Sequence, residues 1–126
     1  MKFVYVLTST PKDLYYEQCL MSVWSLRQKM PNADIIVLVD DKTASSFTLE
    51  YKRTELKSVA SLIKTIDFDN SVTNIERSRL IKTSIPDYVE GSFLYIDCDT
   101  IICDDLSSIK NESFETAGVL DGHCML

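Results

Sequence analysis

Apolar and polar residues alternate along this chain in the order expected of a parallel α/β sheet. Residues 34–39 form an almost continuously apolar run, which predicts a central strand that is covered on both faces. Lys2–Leu7 and Leu62–Ile66 predict two further strands, and a fourth begins at Phe93 after a Glu-Gly turn signal. Longer segments separate these runs, so the pattern predicts a β-α-β order with right-handed crossovers.

The first of the intervening segments predicts a long helix. Thr10 supplies a hydroxyl for the N-cap, Pro11 suits the first helical position, and an acidic residue follows in the first turn. The helix is expected to end before Pro31. Its apolar residues recur at helical spacing, at positions 16, 19, 20, 23, 26 and 30. Nearby aromatic residues fit core packing, although one close to the first loop could lie against a nucleobase.

The rest of the chain predicts shorter elements. Residues 47–56 predict a helix with a polar face, and residues 73–85 predict another that ends at Pro86. Near the carboxyl terminus the pattern predicts a short helix or loop at 109–114 and a further strand at 115–120.

Two aspartates directly follow the fourth apolar run, one on each side of Cys98. Residues two apart in an extended chain point the same way, so Asp97 and Asp99 can face one cavity while Cys98 turns toward the core. Buried carboxylates are costly unless they are paired or bind a metal. Carboxylate oxygens suit Mg2+ or Mn2+, which complete their shells with waters and substrate phosphates. We therefore predict a metal site with Asp97 and Asp99 as ligands at the carboxyl edge of the sheet.

The stretch from Leu94 to Leu106, LYIDCDTIICDDL, resembles glycosyltransferase family 8, the glycogenin-like and galactosyltransferase-like enzymes. The characteristic motif of the family is an apolar strand followed by Asp-x-Asp, Thr and an apolar pair, and then a short acidic turn that leads to Leu. The resemblance implies a Rossmann-like three-layer α/β/α fold of the GT-A nucleotide-diphospho-sugar transferase type, a manganese ion and transfer with retention. It also implies that residues 1–126 are the nucleotide-sugar-binding part of a single GT-A domain whose acceptor-binding half is absent from this chain.

The same resemblance implies further donor-binding residues. Family members carry an Arg followed by Leu on the helix before the motif, and this Arg, matched here by Arg79, contacts the donor. Lys82 is a looser match that shares a helix face with Arg79, whereas Arg77 points elsewhere. In the family the first strand–helix loop surrounds the uridine; the candidates there are Leu7, Thr8 and Ser9. Many members have an Asp in this loop, where this chain has hydroxyl residues and a proline.

A second acidic pair, Asp40 and Asp41, ends the second predicted strand at the same edge of the sheet. Because open α/β sheets bind ligands there, Asp40 is a candidate to hydrogen-bond uracil or ribose. An aspartate in a strand-to-helix loop caps the following helix equally well. The sequence leaves both roles open.

The function that the resemblance implies is glycosyl transfer from a nucleotide sugar, with UDP as the expected carrier, to an acceptor that the sequence does not identify. No catalytic nucleophile can be named from the sequence. One alternative is a receiver-like signalling domain, in which Asp40, Asp41 and Asp97 hold Mg2+ for phosphoryl transfer to an aspartate. Another is a domain that binds a nucleotide sugar without turning it over.

Composition and charge narrow these classes. A chain of 126 residues is expected to form one domain, and its net charge of −6 argues against non-specific nucleic-acid binding and against a polybasic membrane contact. We expect no signal peptide and no transmembrane segment, because no apolar stretch approaches ~20 residues. The four cysteines form no Cys-x-x-Cys sequence, which favours reduced thiols and a cytoplasmic setting.

Overall fold

A computed structural model describes residues 1–118 of the chain, and a four-stranded parallel sheet forms its centre. The strands, in chain order, are β1 (Lys2–Leu7), β2 (Asp34–Asp40), β3 (Leu62–Ile66) and β4 (Phe93–Tyr95). They lie in the order β3-β2-β1-β4, and each neighbouring pair is parallel. The chain therefore builds outward from β1 to β3 and then crosses to the other side of β1. The strands lie where the apolar runs predict them.

Helices cover both faces of the sheet. The helices, in chain order, are α1 (Tyr15–Lys29), α2 (Asp41–Ser45), α3 (Leu56–Val59), α4 (Asn74–Thr83) and α5 (Ile85–Tyr88), followed by a 3-10 turn at Ser107–Asn111. Alternate residues of β1 point to opposite faces, as the pleat of a strand requires. Phe3 and Tyr5 pack in a cluster with α1 and α3, whereas Val4 and Val6 pack in a second cluster with α4 and α5. The predicted three-layer α/β/α arrangement is confirmed.

The first helix begins later than its sequence predicts. α1 starts at Tyr15, and the predicted start at Thr10 and Pro11 is wrong. The carboxylate of Asp13 accepts hydrogen bonds from the backbone N–H groups of Thr10 (2.7 Å) and Tyr15 (3.0 Å). A side chain that bonds nearby backbone groups in this way offers the chain an alternative to helix. Asp13 therefore holds the segment before Tyr15 as a loop.

The prediction of a helix at residues 47–56 is also wrong. The helix lies earlier, at α2, and an irregular segment leads from there to α3. Arg53 holds this segment: its side chain is buried and donates to the Ser46 hydroxyl (3.0 Å) and to the Thr10 carbonyl (2.7 Å). Lys52 has a φ of 55°, in the left-handed region that breaks a helix. Long-range contacts of Arg53 therefore override the local pattern.

The helix predicted at residues 73–85 is present, with a break that the sequence does not show. Thr73 and Glu76 form a capping box before α4: the Thr73 hydroxyl accepts from the Glu76 N–H, and the Glu76 carboxylate accepts from the Thr73 N–H. The helix ends at Thr83, and a second short helix, α5, follows. Pro86 lies in the first turn of α5, where a proline needs no backbone donor, and so it does not end the helix as predicted.

Beyond residue 106 the chain forms the predicted short helix as the 3-10 turn Ser107–Asn111. The strand predicted at residues 115–120 is not formed at positions 115–118, and its remaining positions lie outside the described residues. Within residues 1–118, none of the helices combines the length and apolar character that a membrane crossing requires.

Candidate functional site

An open groove of about 530 Å³ lies at the carboxyl edge of the sheet, between the ends of β1 and β4. Parallel pairing continues past β4, because the Ile96 N–H donates to the Val4 carbonyl (2.9 Å). The walls come from residues 6–8, 13 and 15 around β1, residues 74, 75, 78, 79 and 82 of α4, and residues 97–99. The strand order reverses beside β1, and open α/β sheets bind ligands at such a switch point.

The predicted acid pair lies in this groove. Asp97 and Asp99 are both exposed and both line the groove, while Cys98 turns inward and donates its S–H to the Val6 carbonyl (3.2 Å). The expectation that both carboxylates face one cavity, with Cys98 toward the core, agrees with this geometry.

Two serines of α1 hold the turn that carries the acids. The Ser25 hydroxyl accepts from the Ile102 N–H (2.9 Å), and the hydroxyls of Ser22 and Thr100 lie 3.0 Å apart. Thr100 in turn donates to the Asp97 carbonyl (2.7 Å). Ser22 and Ser25 lie on the buried side of α1, which explains why two small polar residues interrupt its apolar stripe.

Tyr95 and Lys82 both approach the Asp97 carboxylate. The Tyr95 hydroxyl donates to Asp97 Oδ1, and the Lys82 ammonium lies 3.4 Å from the same oxygen. Burial, the hydrogen bond to Asp97 and the nearby negative charges raise the pKa of Tyr95 well above its ordinary value. The phenol therefore keeps its proton and orients the carboxylate. The pair between Lys82 and Asp97 is exposed, so it contributes little stability and is easily rearranged.

The basic residues of α4 divide between two sides of the helix, as predicted. Arg79 and Lys82 line the groove together with Ser78 of the same helix. Arg77 is buried beneath the helix and lies outside the lining. Three carboxylates of the groove, from Asp13 and the acid pair, thus face two cations from α4. A bound divalent ion would make the net charge of these groups positive, which favours the binding of a diphosphate.

The three candidates in the first loop differ in position. Leu7 and Thr8 line the groove, whereas Ser9 is buried behind it. The Ser9 N–H donates to the Thr43 hydroxyl (2.8 Å), and the Ser9 hydroxyl donates to Asp13 (2.6 Å). The side chain of Ser9 therefore supports the loop and lies outside the groove lining.

Asp13, predicted in the first turn of the helix, belongs to the first loop because α1 begins only at Tyr15. Its carboxylate lines the groove and accepts hydrogen bonds from Ser9, Thr10 and Tyr15. Partial burial acts to raise the pKa of Asp13, but these hydrogen bonds outweigh burial and hold the pKa below its ordinary value. The side chain is therefore a fixed negative charge at the wall of the groove.

The sequence leaves two roles open for Asp40, donor binding and helix capping, and its side chain caps α2. Its side chain is 1% exposed and does not contribute to the groove. One oxygen accepts from the Thr43 N–H (3.2 Å) and so caps α2, and the other accepts from Arg77 (2.9 Å). Asp40 therefore lies outside the groove lining, as the cap of α2 and the partner of Arg77.

Sequence reasoning missed several residues of the groove, and one signal could have found some of them. Ile75 and Ser78 each lie four residues before a predicted donor-binding residue of α4, a spacing that places them on the same helix face. Asp13 had no such signal, because it lines the groove only as a result of the late start of α1. Tyr15 is one of the aromatic residues near the first loop for which the sequence leaves contact with a nucleobase open.

The donor set fits a hard divalent cation that takes part of its shell from a substrate. Asp97 and Asp99 supply exposed carboxylate oxygens, and Mg2+ sites commonly use one or two carboxylates with phosphate oxygens and waters. Among the described residues, no group of three or more His, Cys, Asp or Glu side chains could enclose a metal.

Comparisons with known proteins bear on the fold. No protein-family model matches the chain, and no curated protein matches it. The solved structures that match include galactosyltransferase LgtC in complex with donor and acceptor sugar analogues, and an active-site mutant of LgtC. Each match covers 90% of this chain with a TM-score of 0.55 and 16% sequence identity. The chain spans 43% of the length of the first and 42% of the second. This likeness shows the fold alone: the chain has the α/β fold of the GT-A type, as predicted.

Proposed function

We propose that this chain binds a nucleotide sugar, with UDP as the carrier, and serves a glycosyltransferase that passes the sugar to an acceptor. The observation that carries the proposal is the placement of Asp97, Asp99, Arg79 and Lys82 around one groove at the switch point of the sheet. Acids that bind a cation and bases that bind phosphate are the two groups a nucleoside diphosphate requires. The likeness of the fold to a galactosyltransferase supports the proposal.

In this proposal each wall of the groove has one task. The planar guanidinium of Arg79 takes two oxygens of a phosphate or of the sugar, and the Lys82 ammonium acts as a point charge toward phosphate. The backbone of Leu7 and Thr8 meets the nucleobase, and the ring of Tyr15, which is 54% exposed, lies beside that position.

Asp97 and Asp99 would hold Mn2+ or Mg2+. When bound, the metal neutralises negative charge on the diphosphate leaving group. Tyr95 keeps one oxygen of Asp97 hydrogen-bonded and so orients the other for the ion. Retention of configuration is part of the proposal only because the resemblance to glycosyltransferase family 8 implies it.

The receiver-like alternative is not favoured by the fold. A receiver sheet has the order 2-1-3, whereas this sheet has β2 and β4 on either side of β1. Moreover, Arg77 neutralises Asp40 and Asp41, and neither acid lines the groove that holds Asp97.

The experiment measures UDP release from UDP-glucose, UDP-galactose and UDP-N-acetylglucosamine with Mn2+, and binding of the same donors by calorimetry. We expect one donor to bind only with the metal and to lose binding in Asp97→Asn/Asp99→Asn. Asp104→Asn/Asp105→Asn, an exposed acid pair in the following turn, is the matched control. Binding without UDP release would favour the non-catalytic alternative, and no metal-dependent binding of any donor would refute the proposal.

A further inference from the structure

Arg77 lies on α4 two residues before Arg79, yet its guanidinium has a different environment. Two residues along a helix correspond to a turn of about 200°, so the two side chains leave α4 on nearly opposite sides. Arg79 is exposed at the groove, whereas Arg77 is 0% exposed. The role of this buried charge is not explained by the proposed donor contacts.

The guanidinium of Arg77 joins three parts of the chain. Its Nη1 donates to Asp40 (2.9 Å) and to Asp41 (2.7 Å), which ties α4 to the end of β2. Its Nε and Nη2 donate to the carbonyls of Val72 (2.9 Å) and Asp69 (3.0 Å), which fixes the loop between β3 and α4. The ring of Phe68, 5.4 Å from the guanidinium carbon, covers one face.

Apolar packing does little to place this part of α4. The buried residues of the helix are Arg77 and Ile81, and Ile81 lies in the second half. The loop from residue 67 to residue 73 has no regular secondary structure, so its backbone cannot orient the helix by itself. The first two turns of α4, with Ser78 and Arg79, therefore depend on the Arg77 contacts for their orientation.

A buried ion pair is a poor source of net stability, because desolvation of the charges offsets most of their attraction. It does define geometry, because the forked donors of arginine accept their partners in only one arrangement. We propose that Arg77 is a positioning residue: it sets the orientation of α4 so that Arg79 and Lys82 meet the anionic part of the donor beside the acid pair. This inference rests on the proposed function.

The test compares Arg77→Lys with the parent protein. Lysine keeps the positive charge but cannot reach the same four oxygens. We expect the affinity for UDP with Mn2+ to fall about tenfold, the scale of one misplaced charged hydrogen bond. We expect Mn2+ binding without UDP to change much less than UDP binding, because the acid turn is anchored to α1 and its contact with Lys82 is exposed and weak. A purely structural role would lower the melting temperature and leave the UDP affinity of the folded protein within twofold, and that result would overturn the inference.

A double-mutant cycle shows whether Arg77 acts through Arg79. In an Arg79→Ala background the guanidinium to be positioned is absent, so we expect Arg77→Lys to cause a much smaller further loss of UDP affinity than in the parent. An equal loss in both backgrounds would contradict the mechanism. Asp41→Asn, which removes the more exposed partner of Arg77, is a milder variant in case Arg77→Lys does not fold; it should lower UDP affinity in the same direction. Asp67→Asn, an exposed acid after β3, is its matched control.

Hydrogen exchange separates this inference from the proposed function, because it needs no ligand. In Arg77→Lys we expect faster exchange at the amides of residues 77–79, with β1 and β2 unchanged. Unchanged exchange in α4 would refute the role of Arg77 even if UDP binds. Absence of UDP binding by the parent would refute the proposed function and leave the exchange result to decide the role of Arg77.

Discussion

The substitution Asp40→Asn separates the two roles of a buried carboxylate. Asparagine caps helices as well as aspartate does, so the bond from the Thr43 N–H to Oδ1 (3.2 Å) can persist. The second oxygen becomes an amide nitrogen, which faces Arg77 Nη1 as donor against donor. The change therefore removes the ion pair while it preserves the cap.

The loss of stability in Asp40→Asn depends on how deeply the ion pair is buried. The Asp40 side chain is 1% exposed and the Arg77 side chain 0% exposed, so water cannot replace the lost contact. Loss of a hydrogen bond between charged groups costs about 1.5–3 kcal/mol, and a buried donor left unpaired adds to this. Asp41 remains 2.7 Å from Nη1 and limits the loss. We expect Asp40→Asn to lower the free energy of unfolding by about 3 kcal/mol.

Urea unfolding followed by far-UV circular dichroism measures this quantity. A loss of about 3 kcal/mol is a large share of the roughly 10 kcal/mol expected of a domain of this size, and corresponds to a fall in melting temperature of about 10 °C. Asp34→Asn makes the same chemical change at the exposed start of the same strand and should stay within about 0.5 kcal/mol of the parent. If both variants unfold at the same urea concentration, the buried pair does not stabilise the fold as argued.

Three further predictions follow from single contacts. Thr73→Ala removes half of the capping box of α4 and should cost about 1 kcal/mol in urea unfolding, whereas the exposed Thr54→Ala should cost almost nothing; equal losses would contradict the role of the cap. Burial raises the pKa of Tyr5 to about 12. Below pH 10 the folded and the unfolded protein both keep the phenol proton of Tyr5. Between pH 10 and 12 only the unfolded protein releases it, so the free energy of unfolding should fall by about 2–3 kcal/mol over that range. Tyr5→Phe should reduce the fall, and an identical fall in urea unfolding at pH 9 and 11.5 would refute the assignment. Arg79→Ala should weaken UDP binding in calorimetry without a change in melting temperature, because the side chain is exposed at the groove; a matching loss of stability would show a structural role instead.

The two central strands, β1 and β2, are predictable from the sequence because their buried residues are adjacent along the chain. The strand β2 is apolar at every position from Ile35 to Val39, because both of its faces are covered. The short length of the run and its β-branched residues favour a strand over a buried helix segment. The position of the acid pair was predictable because residues that follow a core strand lie at the carboxyl edge of the sheet. Asp40 and Asp41 end β2 in the same way, yet they pair with Arg77, so position alone does not distinguish a binding role from a structural one. The apolar runs thus predict the strands of the sheet, and the residues at their ends predict one wall of the groove.

Two features that the sequence does not reveal share one physical cause, which is a polar side chain that bonds to a distant backbone or side chain. Arg53 bonds to the Thr10 carbonyl, 43 residues away, and holds as a loop a segment whose local pattern suggests a helix. Asp40 bonds to Arg77, 37 residues away, and this contact determines its structural role. Asp13 instead competes with a helix start over three residues. Periodicity reports which side chains are buried, and it carries no information about such contacts.

Calorimetric titration of UDP, with and without Mn2+, into the parent protein and into Asp97→Asn/Asp99→Asn tests the central claim most directly. The acid pair is held to bind a cation that in turn binds the diphosphate, so Mn2+ should strengthen UDP binding in the parent and have no effect in the double variant. Equal enhancement by Mn2+ in both proteins would contradict the claim, as would UDP binding by the parent that ignores the metal.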